Sequence, residues 1–229
     1  MIKNIFVACD TSNLKHIKKI VNQTKTNKLK ITPKFGLQLF YSKNGRSFLQ
    51  SFKQDFWLDI KINDVPQTAL SAVDSLKDLK RCKYITVHAN GGLEMLKAVK
   101  KKAKEINKDL KVLGVTVLTS LNNKSLKEIG HTKRVEQLVL KQASLIKQSG
   151  CYGIVCSGKE AKLIRKKYKG LFIVTPGIRM PGDKNHDQAR VVTPYEAFKN
   201  KVSGIVMGRS LIQGNIKNNI KRLIIHLNQ

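Results

Sequence analysis

In the segment Phe56-Trp57-Leu58-Asp59-Ile60-Lys61-Ile62-Asn63-Asp64, a carboxylate and an ammonium stand two residues apart inside an apolar run. Side chains two apart on a strand point to the same face, so Asp59 and Lys61 are expected side by side. Opposite charges on an otherwise apolar face are costly to bury unless they pair with each other and with further groups. Lys34, one apolar run earlier, and Asp64, just beyond this one, are expected to supply those partners in an alternating Lys, Asp, Lys, Asp array. An ammonium held between carboxylates keeps its proton, because nearby anions favour the charged form. It can then give that proton to a carbanion developing in a substrate. A lone Asp-x-Lys pair reads more plainly as a buried ion pair with no chemical task, but four such groups at one place favour chemistry.

A second constellation suits a phosphate. Gly204-Ile205-Val206-Met207-Gly208-Arg209 reads as a strand running into a Gly-Arg turn shortly before a helical stretch. Backbone N–H groups at a glycine turn approach phosphate oxygens closely, and arginine adds a charged fork. The segment 176–190 carries Gly177, Arg179, Gly182, Asp183, Gln188 and Arg190 and has the length of a loop that closes over a bound phosphate. A solvated crossover is its plainer alternative.

The elements that must position these groups show as a repeated alternation. Apolar, β-branched runs at 5–9, 31–35, 56–62, 84–88, 112–118, 153–156, 171–174 and 204–207 read as eight strands. Amphipathic stretches at about 12–26, 44–54, 67–80, 91–106, 133–148, 158–168, 193–200 and 215–227 read as eight helices. Thr11 and Ser12 precede the first, Gly91 and Gly92 open the fourth, and Thr193-Pro194 with Glu196 marks the seventh. Such alternation specifies a parallel sheet with crossover helices. Eight pairs in 229 residues fit an α/β chain folded as one (β/α)8 TIM barrel domain spanning 1–229. A doubly wound dinucleotide fold would want G-x-G-x-x-G after the first strand, where Asp10-Thr11-Ser12-Asn13 stands instead. Barrel chemistry gathers at the carboxyl ends of the strands, which here offer Asp10, Lys34, Asp59, Lys61, Asp64, His88, Thr119, Ser120, Ser157, Arg179, Gly208 and Arg209.

Composition bounds what the chain can be. With 41% hydrophobic and 26% charged residues it is too apolar for intrinsic disorder. Forty-four Lys and Arg against 15 Asp and Glu leave a net charge of +29, which makes anionic partners expected without choosing among them. Lysine runs such as Lys97, Lys100, Lys101, Lys102 and Lys104, or Lys162, Arg165, Lys166 and Lys167, fall in helical stretches and read as solvated faces. No aromatic interleaving or nucleic-acid motif accompanies them, so only weak, salt-sensitive polyanion binding is expected. The cysteines Cys9, Cys82, Cys151 and Cys156 form no C-x-x-C pair and fit a reducing compartment. No cleavable signal and no membrane-length apolar run is read, so a cytoplasmic location is expected. His16, His131, His186 and His226 show no metal-ligand spacing, His88 reads as a structural hydrogen-bonder, and no metal is expected.

Seven segments in order resemble the orotidine 5'-monophosphate decarboxylase family. They are Phe6-Val7-Ala8-Cys9-Asp10, Lys34-Phe35-Gly36, Leu58-Asp59-Ile60-Lys61-Ile62-Asn63-Asp64-Val65-Pro66-Gln67-Thr68, Thr116-Val117-Leu118-Thr119-Ser120, Thr175-Pro176-Gly177-Ile178-Arg179, Asp187-Gln188-Ala189-Arg190 and Gly208-Arg209. The resemblance implies a homodimer that removes CO2 from orotidine 5'-monophosphate (OMP) to give UMP, with neither metal nor organic cofactor. It implies Lys61 as the acid that protonates C6, Asp59 against the departing carboxylate, and Lys34 bridging the charges and the ribose. Asp64 and Thr68 would reach into the neighbouring subunit's site, Asp10 would bind ribose hydroxyls, and Thr119 with Ser120 would meet the pyrimidine edge. Gln188, Arg209 and the Gly208 backbone would hold phosphate, with Arg179 in the same region. Cys9, Asn63 and Gln67 depart from the family's usual residues, and none of them removes a charged group. The nearest rival implied by the same strand is a sister phosphate-binding barrel that stabilises an enediolate with Mg2+; Lys34, Thr119-Ser120 and Asp187-Gln188-x-Arg190 speak against it.

Overall fold

Alternation between β-branched runs and lysine-studded amphipathic stretches closes the chain into a parallel barrel. The computed structural model describes residues 3–183 and 191–228, and among these the closed barrel has eight strands. They are β1 (Asn4–Ala8), β2 (Lys30–Gly36), β3 (Phe56–Ile62), β4 (Cys82–His88), β5 (Lys111–Val115), β6 (Gly153–Val155), β7 (Phe172–Thr175) and β8 (Gly204–Met207). Each pairs with the next in chain order, and β8 returns to β1 with Asn4 opposite Gly204 and Val7 opposite Met207. This is the (β/α)8 TIM barrel expected from the alternation.

The helices α1 (Leu14–Gln23), α2 (Leu37–Phe40), α3 (Gly45–Ser51), α4 (Pro66–Asp74), α5 (Gly92–Ile106), α6 (Asn123–Glu128), α7 (Val135–Gln148), α8 (Gly158–Lys167), α9 (Pro194–Lys199), α10 (Arg209–Ile212) and α11 (Ile216–Leu227) fill the connections. Eight of these occupy the expected stretches, while the short α2, α6 and α10 are additional and follow β2, β5 and β8. With four to six residues they show too little of a 3.6-residue period to be read from sequence, and they lack the Thr-Pro-x-Glu start signal that marks the equally short α9.

Local hydrogen bonding moves several boundaries. The first helix starts at Leu14 because Asn13, and not Thr11 or Ser12, accepts the His16 N–H at 3.0 Å. The stretch 67–80 is helical only to Asp74; beyond it, bonds such as Leu76 N–H to Val73 O (2.9 Å) and Leu79 N–H to Leu76 O (2.9 Å) tighten it into turns. The strand expected over 112–118 ends at Val115: Thr116 N–H still bonds Val155 O at 3.1 Å, but β6 stops at Val155 and the ladder between β5 and β6 goes no further. Thr193 and Glu196 form the reciprocal capping box that their spacing implies, with Thr193 N–H to Glu196 Oε2 at 2.8 Å and Glu196 N–H to Thr193 Oγ1 at 3.2 Å.

Two apolar layers hold the barrel. Inside it, Phe6, Trp57, Leu113, Val115, Val155, Val174 and Val206 pack together, with Phe6 edge-on to Trp57 at 4.9 Å. A Cβ at Gly204 would stand 2.9 Å from the Phe6 ring, so the absence of a side chain there makes room for the aromatic. Outside the barrel, α5 buries Met95, Leu96, Val99 and Ala103 and turns Lys97, Lys101 and Lys104 to solvent. Each large side chain so buried contributes about 1.5–3 kcal/mol. On α8, Lys162, Lys166 and Lys167 are exposed, but Arg165 departs from the solvated-face reading. Its guanidinium donates to Lys201 O (3.0 Å), Leu171 O (2.8 Å) and Ser203 Oγ (3.1 Å), tying α8 to the starts of β7 and β8. All four cysteines are buried and free.

Candidate active site at the barrel mouth

The carboxyl ends of the strands enclose a cavity of about 700 Å3. Among the residues singled out from sequence, Asp10, Lys34, Asp59, Lys61, Thr119, Ser120, Arg179, Gly208 and Arg209 line it. They come from β1, β2, β3, β5, β7 and β8 or the residues just after them, so six strands converge on one space.

At its floor lies a continuous chain of opposite charges. Lys34 Nζ is 3.1 Å from Asp10 Oδ1 and 3.2 Å from Asp59 Oδ2, and Lys61 Nζ is 3.0 Å from the same Asp59 Oδ2. Within one chain, Asp10 supplies the second carboxylate on Lys34, a place the residue pattern gives to Asp64. Asp64 is exposed; its Oδ1 accepts the Val65 N–H at 2.7 Å, and it has no ion pair among the described residues. Burial opposes charge on Lys34, yet the carboxylates of Asp59 and Asp10 outweigh it and hold the ammonium's pKa above the ordinary lysine value. Burial likewise opposes charge on Asp59, and Lys34, Lys61 and the hydrogen bonds to it outweigh that and keep the carboxyl below the ordinary range. Burial pushes the neighbouring Cys9 thiol up to about 12, against the opposing pull of Lys34, so it stays protonated.

The sequence positions Asp59 and Lys61 by an irregularity, not by plain strand alternation. Leu58 is in register with Ile85 and Ile62 with Val87, so residues 59–61 of β3 face the single residue Thr86 of β4. Lys61 has φ +47°, a left-handed backbone that lysine rarely adopts. Thr86 Oγ1 accepts the Lys61 N–H at 3.0 Å and donates to Asp59 Oδ1 at 2.8 Å. Gly36, in register with Asp59, clears the other side: a Cβ there would lie 2.9 Å from Asp10 Oδ1. Neither Thr86 nor Gly36 was singled out for a role from sequence. A polar residue at the inward parity of β4, shared with Tyr84 and His88, was the available signal for the first.

The opposite wall is cationic. Arg209 begins α10 directly after β8, and Arg179 follows β7 with 8% of its surface exposed. Burial and the Arg209 guanidinium together lower the Arg179 pKa, which marks two like charges held close. The backbone beneath Arg179 is pinned, its N–H to Val192 O at 3.1 Å and Val192 N–H to Gly177 O at 3.3 Å. Two such guanidinium groups beside Gly208 suit a dianionic oxygen cluster. Gln188, together with Asp187 and Arg190, lies outside the described residues.

Thr68 is exposed on α4 and, like Asp64, does not line the cavity. His88 Nδ1 accepts the Asn90 N–H at 3.3 Å, and burial with the nearby Lys61 charge lowers its pKa. Among the described residues, no three His, Cys, Asp or Glu side chains are grouped so as to hold a metal ion. No helix among the described residues is long and apolar enough to cross a membrane.

A (β/α)8 barrel whose mouth joins a lysine–aspartate array to a pair of arginines belongs to the class of barrels that act on phosphorylated, anionic substrates. The chain is a member of the orotidine 5'-phosphate decarboxylase / HUMPS family, whose model matches residues 3–221. Orotidine 5'-phosphate decarboxylase of Buchnera aphidicola subsp. Acyrthosiphon pisum is 38% identical over 226 residues, covering 96% of this chain and 92% of its own. That of Sphingopyxis alaskensis is 35% identical over 218 residues, 94% of each chain. The crystal structure of orotidine 5'-phosphate decarboxylase from Lactobacillus acidophilus superposes with a TM-score of 0.83 at 28% identity, over 99% of this chain and 100% of that one.

Proposed function

We propose that this barrel, acting as one domain, decarboxylates OMP to UMP and CO2 as a carboxy-lyase of de novo pyrimidine synthesis. The observation that carries the reading is the Asp59 carboxylate shared between the Lys34 and Lys61 ammonium groups in the cavity that Arg209 also lines. The bond from C6 to the carboxyl carbon breaks with its electron pair left on C6, and a fixed field of positive charge stabilises that pair. Lys61 then delivers a proton to C6. Exposure separates the two lysines: the Lys61 side chain is 34% exposed and can regain a proton from water, whereas Lys34 is 7% exposed and sealed between two carboxylates. Asp59 sits against the departing carboxylate, and Lys34 bridges the charges and the ribose, which Asp10 binds.

Thr119 and Ser120 meet the pyrimidine edge, while Arg179, Arg209, Gly208 and Gln188 hold the phosphate. Binding energy from the phosphate, remote from C6, orients the base for the chemical step. No metal or organic cofactor takes part in this reading, which fits an Asp59 oxygen already bonded to two ammonium groups. Residues 63–68 form a continuous exposed stretch at the barrel rim that includes Val65 at 62% exposure, as suits a subunit contact. In a homodimer, Asp64 and Thr68 would reach the partner's cavity from there. The buried, free cysteines fit a cytoplasmic location, and the exposed lysine faces bind polyanions only weakly.

The test is to follow OMP absorbance with purified, metal-stripped protein in EDTA. Turnover in EDTA is expected. Its absence, or its appearance only on adding Mg2+, would overturn the reading in favour of a metal-assisted sister reaction.

A further inference from the structure

Thr86 is completely buried on β4, opposite the point where the β3 ladder slips. Its hydroxyl has one proton and two lone pairs. A carboxylate oxygen can only accept and a backbone N–H can only donate, so the direction of both bonds is determined. The proton goes to Asp59 Oδ1 at 2.8 Å and a lone pair takes the Lys61 N–H at 3.0 Å. One side chain thus grips both members of the Asp-x-Lys pair, one through its carboxylate and the other through its backbone. With Oδ1 tied back to β4, Oδ2 is the oxygen left to receive Lys34 at 3.2 Å and Lys61 at 3.0 Å. The same hydroxyl stands in for the ladder partner that the left-handed Lys61 backbone has lost.

We propose that Thr86 is a positioning residue for the decarboxylation, whose hydroxyl sets the rotation of the Asp59 carboxylate and the backbone of Lys61 so that both ammonium groups meet one oxygen. This rests on the assignment of Lys61 as proton donor. Its consequence falls on the chemical step and not on substrate binding, because the residues assigned to phosphate, Arg179 and Arg209, follow β7 and β8, across the closed barrel from β3 and β4.

Thr86→Val keeps the shape and removes the hydroxyl. Steady-state kinetics on OMP are expected to show kcat down roughly 100-fold, the scale of an ångström-sized misplacement, with KM within about threefold. Thr86→Ser, which restores the hydroxyl but not the methyl, is expected to recover kcat to within about fivefold of the parent chain. If the valine variant does not fold, Thr86→Cys, with a poor hydrogen-bonding sulfur, is compared with Thr86→Ser in its place. A valine variant with the parent's kcat, or serine and valine variants equally impaired, would overturn the proposal. Lys61→Ala assayed in parallel separates the two claims: if it turns over OMP, the proton-donor assignment fails, and if it is inactive while Thr86→Val is normal, only the role of Thr86 fails.

Discussion

Lys34 Nζ lies 3.2 Å from Asp59 Oδ2 with both side chains almost wholly out of solvent, at 7% and 12% exposure. Removing one partner of a buried pair leaves the other charge uncompensated, a loss of about 3–5 kcal/mol. Lys61 still neutralises Asp59 in a Lys34→Ala variant, so destabilisation of about 3 kcal/mol is expected, at the low end of that range. Its pH dependence follows from the directions of the two shifts. Asp59 has a depressed folded pKa, so its contribution is present above the unfolded value near 3.9 and is lost as pH falls through the folded value. Lys34 has a raised one, so its contribution is present below about 10.4 and is lost as pH rises through the folded value. Urea unfolding should show a steady stability gap between parent and variant from about pH 5 to about pH 9, shrinking in acid below about pH 4. A gap that widens in acid would contradict the charge array.

Gly36→Ala tests the clearance beside Asp10. The new Cβ would displace the end of a side chain that is 60% exposed, so the fold should absorb it with a stability change within about 1 kcal/mol. Asp10 would no longer be held against Lys34. Loss of one ribose hydrogen bond is expected to raise KM by roughly tenfold while kcat stays within about threefold. An unchanged KM would argue against Asp10 as a ribose ligand.

For Arg209→Ala the expected loss is roughly 10- to 100-fold in kcat/KM, the weight of a charge-assisted hydrogen bond to phosphate, carried mainly by KM. A fall in kcat at constant KM would place Arg209 in the chemical step instead.

Shared active sites are tested by mixing two variants. In a symmetric dimer, Lys61→Ala with Asp64→Ala gives hybrids in which one site carries both lesions and the other neither. Activity from two inactive parents should return to about a quarter of the parent level at statistical mixing. No recovery, with hybrid formation shown by mass, would mean each subunit works alone.

Most of the fold was legible because long elements carry strong periodicity: all eight apolar runs overlap strands, and the eight long amphipathic stretches overlap helices. What escaped was local. The helices α2, α6 and α10 are too short to show a period. The Asp59–Lys61 contact was expected from strand alternation, but it arises at a register slip with Lys61 left-handed, which a lysine does not advertise. Thr86 reads as an ordinary β-former, and its task appears only once β4 is laid beside β3. Asp64 was expected within the array; within one chain it lies exposed with its carboxylate on the adjacent Val65 N–H, and the second carboxylate on Lys34 is that of Asp10.

The central claim is that the Lys61 ammonium, held 3.0 Å from Asp59, protonates the carbon that loses CO2. Its most direct test is single-turnover OMP decarboxylation by folded Lys61→Ala protein. A loss of at least about 1,000-fold, the scale of positioned general-acid catalysis, is the expected result. Turnover within about tenfold of the parent chain would contradict the claim.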